Sequence, residues 1–333
     1  MLTCSVVLAT LNGAEHLPAQ LASIRDQLRL PDELVISDDG SSDATVKVAE
    51  DFRRTAPFSV RVIAGPREGC AENFWSAAKS ATSQVIAWSD QDDVWHREKL
   101  ARCLAAIEER NAAMAVHAAA VVGPGLQALG RKHPGYSTTR LLGPLEGDPL
   151  LVPPGFAIVF RRQLMDELDW ASRPLSHQHR YQLPHDHAVW LWAFACHRRV
   201  ELRDSLALYR QHTHNLAGAP PAADVGYLKA ALGATAEQYE RLAERLTGYA
   251  TWLEGAGQAA AGDYFRQMAE RARMRGRVRD GPGSAARWAG LATALRRDAY
   301  ASRDRGGFGA RALANDALSV CAGLARARPT LGP

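Results

Sequence analysis

Short apolar runs alternate with helix-like segments through the first 122 residues, and few folds accept that pattern. Residues 3–9 are apolar and β-branched, as a buried strand requires. Thr10-Leu11-Asn12-Gly13 breaks the run, and residues 14–28 then place Leu17, Leu21, Ile24 and Leu28 at helical spacing. The cycle repeats. Strands are predicted at 33–37, 60–64, 85–88 and 113–122. Helices are predicted after Asp43, which is placed as a cap, and at 69–82 and 97–110. Parallel strands need crossover connections, so the alternation predicts an α/β fold with a mostly parallel sheet flanked by helices. Such sheets bind ligands beyond the carboxyl ends of their strands. The functional loops should therefore be residues 10–13, 38–43 and 90–95.

The third loop is the densest in charge. Trp88-Ser89-Asp90-Gln91-Asp92-Asp93-Val94-Trp95 sets three carboxylates within four positions, directly after an apolar strand. Acids so crowded need a cation, or one of them must hold a proton. Hard oxygen ligands suit Mg²⁺ or Mn²⁺, which commonly bridge carboxylates to a diphosphate. Asp and Gln are also ordinary turn residues, so an acidic surface loop accounts equally well for this stretch alone.

After residue 122 the alternation weakens. Residues 123–154 read as a long loop rich in Gly, Pro, Ser and Thr, with at most one short strand near 126–130. Loops of that length are unusual unless functional. A strand at 156–160, a short helix at 162–168, a polar loop at 173–183 and a tryptophan-rich helix at 186–197 follow. Residues 200–211 supply one or two short strands ending in Tyr209-Arg210-Gln211-His212. From Pro220 onward Ala, Arg, Glu and Leu dominate, with helices expected at 227–253, 258–274, 285–297 and 310–325. Gly281-Pro282-Gly283 and Gly306-Gly307 punctuate them. The expected organisation is an α/β domain over 1–218 and an α-helical region over 219–333.

Composition narrows the class. Of 333 residues, 47% are hydrophobic and 23% charged, as in globular chains. The net charge of +4 is too mild to argue for a nucleic-acid partner. The five cysteines form no C-x-x-C pair, so neither a disulfide framework nor a zinc site is expected. The spacings of His177, His179, His185 and His187 fit no usual zinc pattern either. The N-terminus lacks a basic segment, and no apolar run reaches the ~18 residues of a membrane helix. A cytoplasmic location is the expectation.

Six motifs stand in order: Val-Leu-Ala-Thr-Leu-Asn-Gly (7–13), Ser-Asp-Asp-Gly-Ser-Ser-Asp (37–43), Gly69 to Asn73-Phe74, Ser-Asp-Gln-Asp-Asp-Val-Trp (89–95), His185-Asp186, and Tyr209 to His212. Together they resemble the family 2 glycosyltransferases of the GT-A fold, and within them the rhamnosyltransferase-like branch. The resemblance covers roughly residues 2–218. Leu11 departs from the branch's usual Tyr, which bears on base stacking. His187 and Ala188 replace expected aromatic residues, which bears on the acceptor side.

The resemblance implies an inverting, metal-dependent transfer from a nucleoside-diphosphate sugar, with dTDP or UDP the expected nucleotide. Thr10, Asn12, Asp38 and Asp39 would meet the nucleotide, Asp39 at the base or ribose and Asp38 in support. Asn73 could meet the ribose or diphosphate, and Lys99 could reach a phosphate. Asp90 would hold the ribose or sugar. Asp92, Asp93 and His212 would ligate the metal, and Arg210 would offset phosphate charge with its fork. Asp186 would be the general base, taking the acceptor hydroxyl's proton; its plain alternative is a helix cap. His214 and Asn215 fall on what resembles a loop closing over the donor. The acceptor would be a carbohydrate, a lipid-linked molecule or a small molecule.

Arginines crowd the last quarter: Arg266, Arg271, Arg273, Arg275, Arg277 and Arg279, then Arg287, Arg296, Arg297, Arg303, Arg305 and Arg311. Trp288, Leu291, Leu295, Tyr300 and Phe308 interleave with them. Such a surface could dock peripherally on anionic lipid, bind an anionic acceptor, or pack against a second copy in a homo-oligomer. A solvated basic face is the plain account. Two further functions compete. A non-catalytic nucleotide-sugar-binding scaffold would be expected to have lost one of Asp90, Asp92 or Asp186. A nucleotidyltransferase should carry a Gly-rich basic phosphate loop, and residues 9–13 have none.

Overall fold

The computed structural model describes residues 1–175, 181–213, 234–280, 284–302 and 305–321. They fall into two compact units, 1–144, 150–171 and 183–220 in one, and the remainder in the other.

The first unit is built on one sheet. In chain order its strands are β1 (Cys4–Thr10), β2 (Glu33–Asp38), β3 (Ser59–Ala64), β4 (Val85–Ser89), β5 (Val94–Trp95), β6 (Met114–Val122), β7 (Ala128–His133), β8 (Arg140–Leu142), β9 (Ile158–Arg161) and β10 (Arg199–Arg210). Its helices are α1 (Leu17–Arg25), α2 (Thr45–Arg53), α3 (Cys70–Ser80), α4 (Lys99–Glu109), α5 (Gln163–Glu167) and α6 (His185–Cys196). The spatial order is β3-β2-β1-β4-β9-β6-β10-β5, with β7 beside β6 and β8 beside β10. The wing β3-β2-β1-β4 is parallel throughout. The strand β9 then runs antiparallel between β4 and β6, and β10 pairs with β6 in parallel. Because β9 reverses twice, β4, β6 and β10 point the same way, and their carboxyl ends share one edge of the sheet with those of β1 and β2.

Burial follows this order. Every residue of β1 and β4 is buried, whereas the edge strand β3 is only partly covered. Leu17, Leu21 and Ile24 of α1 and Leu100, Cys103, Leu104 and Ile107 of α4 join Val6, Leu8, Ile36 and Val85 in one core. A fully buried leucine or isoleucine contributes about 1.5–3 kcal/mol relative to exposure. Three such positions per helix fix which face meets the sheet.

Several boundaries depart from the sequence expectation. Helix α1 stops at Arg25 rather than 28, because Leu28 N–H donates to the Arg97 carbonyl (2.8 Å) instead of continuing the helix. Asp43 stands one residue before the N-cap Ala44 of α2, yet its Oδ1 accepts from Thr45 N–H (2.9 Å) as a cap would. Residues 200–211 are not two short strands but part of one twelve-residue strand, whose register with β6 shifts around Ser205. The stretch 123–154 contains two strands, β7 and β8, rather than one. Both are mostly exposed, and each pairs with a single neighbour, so neither needs the usual apolar alternation.

The second unit is helical: α7 (Ala236–Gly255), α8 (Ala259–Asp280), α9 (Ser284–Arg296) and α10 (Gly309–Cys321). Thr235 caps α7 in a reciprocal box with Gln238. The predicted helix at 227–253 begins outside the described residues, as do His177, His179, His214, Asn215, Arg303 and Gly281-Pro282-Gly283. The arginine run of α8 is not the open basic face the sequence suggested. Arg275 and Arg279 bind Asp316, which is fully buried and also accepts from the Tyr300 hydroxyl (2.8 Å). Arg273 pairs with Glu240 and Arg266 with Glu254. Guanidinium forks reach carboxylates on neighbouring helices, so these arginines tie the helices together. No described helix is long and apolar enough to cross a membrane.

Candidate active site

The loops leaving β1 and β2 interlock. Thr10 and Asp38 are register partners, and Thr10 Oγ1 donates to Asp38 Oδ1 (3.0 Å). Asp38 also accepts from Gly40 N–H (3.1 Å), Ser41 N–H (2.8 Å) and Ser41 Oγ (2.5 Å). Its carboxylate is thereby spent on shaping the turn. Asn12 has a left-handed backbone (φ 48°), and its Oδ1 accepts from Ser42 N–H (2.9 Å) while its own N–H donates to Ser41 Oγ (2.8 Å). Thr10, Asn12 and Asp38 thus form a brace between two loops.

Asp39 sits beside that brace in a cup that residues 65–69 form. Its two oxygens accept from Arg67 N–H (2.7 Å) and Gly69 N–H (3.0 Å). A Cβ on Gly65 would stand 2.8 Å from Asp39 Oδ1 and 2.5 Å from Asn73 Oδ1, so only glycine fits. Asn73 is buried; its amide accepts from Ser37 Oγ (2.6 Å) and donates to the Ser37 carbonyl (3.0 Å). It pins α3 to β2 and is not presented to a donor.

Gln91 joins the first loop to the acid turn. Its amide accepts from Leu11 N–H (3.0 Å) and donates to the Leu11 carbonyl (3.1 Å), like one more rung of sheet. Leu11 itself is 48% exposed at the mouth of these loops.

In the acid turn each carboxylate has a different environment. Asp90 is half-buried, and burial with the negative charges of Asp92 and Asp186 pushes its carboxyl up to about 8. His185, next to Asp186 on α6, packs edge-on against Trp88 of β4 (4.6 Å), which brings Asp186 towards the turn after β4. Asp92 Oδ2 lies 2.8 Å from His212 Nε2, and the His212 ring meets His16 at a tilt of 40°, with centroids 4.9 Å apart. Asp93 is buried; Oδ1 accepts from Arg210 N–H (3.1 Å), while Oδ2 has no partner among the described residues. Burial, then Asp90 and Asp92, raise its carboxyl well above the usual range. The Arg210 guanidinium donates to the carbonyls of Asp92 (2.7 Å) and Pro124. It holds the end of β10 against the turn.

Lys99 differs from the expectation. It is fully buried under the turn, donates to the Phe156 carbonyl (2.6 Å) and lies 3.3 Å over the Trp95 ring. Burial pulls its ammonium down to about 7. Lys99 opens α4, whose apolar face packs on the sheet, so its side chain points inward rather than to a phosphate.

Asp186 lies in the first turn of α6. Pro184 is the N-cap, so Asp186 does not cap the helix; its Oδ1 accepts from His187 N–H (2.7 Å). A Cβ on Gly155 would meet His185 Nε2 at 3.0 Å and Asp186 Oδ2 at 3.7 Å. Glycine there keeps space beside the carboxylate. His185 is buried between Phe74 (stacked, 4.1 Å) and Trp88 (edge-on, 4.6 Å), and burial lowers its imidazole to about 4. It is therefore a neutral packing ring that fixes where Asp186 emerges.

The edge thus gathers Asp39, Asp90, Asp92, Asp186 and His212. Asn73 and Lys99 lie beneath it, and Gly65, Gln91 and the 67–69 backbone belong to it without having been singled out from sequence. Glycine and backbone amides carry no sequence signal of their own.

Residues 5–169 match the model of glycosyl transferase family 2. The chain belongs to that family. Among curated relatives, this glycosyltransferase is 25% identical over 224 residues to an uncharacterised glycosyltransferase of Nostoc sp., which covers 63% of the chain and 65% of the relative. It is 25% identical over 221 residues to a dTDP-rhamnosyl transferase of Shigella flexneri, covering 64% and 74%. Among solved structures it resembles S. aureus TarS in complex with UDP-GlcNAc, with a TM-score of 0.56, 18% identity, and 89% and 81% coverage. That likeness establishes the fold: a GT-A α/β sheet, accompanied here by a C-terminal helical region.

Hard carboxylate oxygens and one imidazole nitrogen suit Mg²⁺ or Mn²⁺. Among the described residues no three such side chains stand close enough to cage an ion. Mg²⁺ is ordinarily held by one or two carboxylates with phosphate and water completing its shell. Asp92, with His212 against it and the unpartnered Asp93 oxygen behind, fits that mode.

Proposed function

We propose that this glycosyltransferase moves a sugar, with inversion, from a nucleoside-diphosphate sugar to an acceptor hydroxyl. The observation that carries the reading is the convergence of Asp90 and Asp92 with Asp186, about one hundred residues further along the chain, on a single edge beside the nucleotide-side loops. Asp39, oriented by two backbone N–H groups, receives the base or ribose. Asp90 faces the ribose or the sugar. Asp92 and His212, with Asp93 behind, would hold a divalent cation, which would offset charge on the departing diphosphate. Asp186 accepts the acceptor hydroxyl's proton while that oxygen bonds to the anomeric carbon and the bond to the diphosphate breaks. The nucleoside diphosphate leaves from the opposite side, which inverts the centre.

A dTDP or UDP sugar is the proposed donor, and a deoxyhexose such as rhamnose is favoured by the dTDP-rhamnosyl transferase relative of Shigella flexneri. Polysaccharide or glycosylated-metabolite synthesis is the proposed setting. On α9, exposed Trp288 and Leu295 beside exposed Arg296 and Arg297 form the surface that an anionic lipid layer would meet.

The test is a thermal-shift panel of UDP, dTDP, GDP and CDP, each with Mn²⁺, Mg²⁺ or EDTA, followed by Asp186→Asn. A ligand at a hundred times its dissociation constant adds about 2.7 kcal/mol of apparent stability. One nucleotide should stabilise the protein with metal and not with EDTA. Asp186→Asn should keep that shift and lose transfer by at least about hundredfold. Binding without turnover in the unsubstituted protein would favour a nucleotide-sugar-binding scaffold instead.

A further inference from the structure

The back of the acid turn is held by polar side chains from α1 and the residues just after it. Gln20, Ser23 and Gln27 are buried at 0%, 8% and 4% exposure. They share the inward side of the helix with Leu17, Leu21 and Ile24. Only one orientation of the Gln20 amide satisfies its neighbours. In it, Oε1 accepts from Ser89 Oγ (2.5 Å) and Trp95 Nε1 (3.0 Å), and Nε2 donates to the Asp93 carbonyl (2.7 Å) and to Ser23 Oγ (3.2 Å). Ser23 Oγ also accepts from Trp95 N–H (3.0 Å). Gln27 acts further on, donating to the His96 carbonyl (2.9 Å) and accepting from Leu100 N–H (3.0 Å).

Gln20 therefore touches the start, the middle and the end of residues 89–95. The three acids between those points repel one another, and repulsion opens a turn that is anchored only at its ends. A buried amide with every hydrogen bond satisfied resists that opening, because each broken bond would leave a polar group without water. An apolar side chain at position 20 would fill the same space without holding the backbone.

We propose that Gln20 is a positioning residue of the donor site, tying Ser89, Asp93 and Trp95 to α1 and so setting the spacing of Asp90 and Asp92. The proposal rests on the donor-site reading of those acids. The first measurement is the Mn²⁺ concentration giving half of the nucleotide thermal shift in the full chain. Gln20→Leu should raise it about tenfold. Gln20→Glu keeps the shape but cannot donate to the Asp93 carbonyl, and should raise it similarly. Gln27→Ala, which removes bonds to the backbone of Ser23, His96 and Leu100 and none to residues 89–95, should leave it within about twofold while still costing stability. A folded Gln20→Leu with unchanged half-saturation overturns the proposal; if that variant does not fold, an unchanged Gln20→Glu does so. The second measurement is hydrogen exchange of the peptide covering 89–95. It should quicken in the Gln20 variants and stay unchanged in Gln27→Ala. Should the unsubstituted protein show no metal-dependent nucleotide shift, the donor reading fails, and the exchange decides alone: unchanged protection of 89–95 in both Gln20 variants overturns the bracket.

Discussion

His212 Nε2 stands 2.8 Å from Asp92 Oδ2, across 120 residues of sequence. The pair forms because β10 runs parallel to β6 and delivers its end to the edge where β4 delivers the acid turn. Both side chains are mostly covered, at 14% and 17% exposure, so the contact is sheltered from screening.

Asp92→Ala and His212→Ala should each weaken metal-dependent binding of the nucleoside diphosphate by at least about tenfold. The measurement is calorimetric titration with and without Mn²⁺. An unchanged metal response in either variant moves the ligand role to another side chain.

Gly65 leaves the space that Asp39 and Asn73 occupy. Gly65→Ala brings a methyl group within 2.8 Å of Asp39 Oδ1 and 2.5 Å of Asn73 Oδ1. Overpacking of this kind costs about 1–3 kcal/mol. Nucleotide affinity should fall with stability, because the displaced group is the one proposed to receive the base or ribose. Full affinity in a destabilised variant would detach Asp39 from the nucleotide.

His185 makes stability depend on pH. Its folded pKa of about 4 lies below the ordinary 6.5, because burial disfavours the cation. Between those values the unfolded chain binds the extra proton, so stability falls as pH drops from 6.5 towards 4. The full contribution is about 3 kcal/mol. His185→Phe keeps a ring between Phe74 and Trp88 and cannot titrate. Urea unfolding across pH 4–7 should show a shallower acid slope in the variant; parallel slopes would contradict the assignment.

Lys99→Met should leave the dissociation constant of the nucleoside diphosphate within about twofold, since the ammonium is committed to the Phe156 carbonyl and the Trp95 ring. A loss of tenfold or more would place Lys99 on a phosphate.

The acids were legible before the fold. Asp90, Asp92 and Asp93 are adjacent in sequence and follow an apolar strand, and Asp186 stands in a recognisable His-Asp step. Asn73 belongs to an equally recognisable motif and Lys99 follows the acid motif by four residues, yet their side chains turn inward. Their helices present that face to the sheet, and a motif records which residue is present but not its direction. Gln20, Ser23 and Gln27 left no readable signal, because polar residues at spacings of three and seven also describe a solvent-facing stripe. The arginines of α8 posed the same ambiguity: Asp316, which neutralises two of them, is some forty residues away.

The sequence alone determined the strand–helix alternation, the edge at which the acidic loops gather and the acids that stand there, because those depend on local periodicity and neighbouring charges. Tertiary structure decided the antiparallel insertion of β9, the meeting of His212 with Asp92, the burial of Lys99 and the bracket under the acid turn. Each of these joins groups distant in the chain, and only the packed sheet fixes their separation.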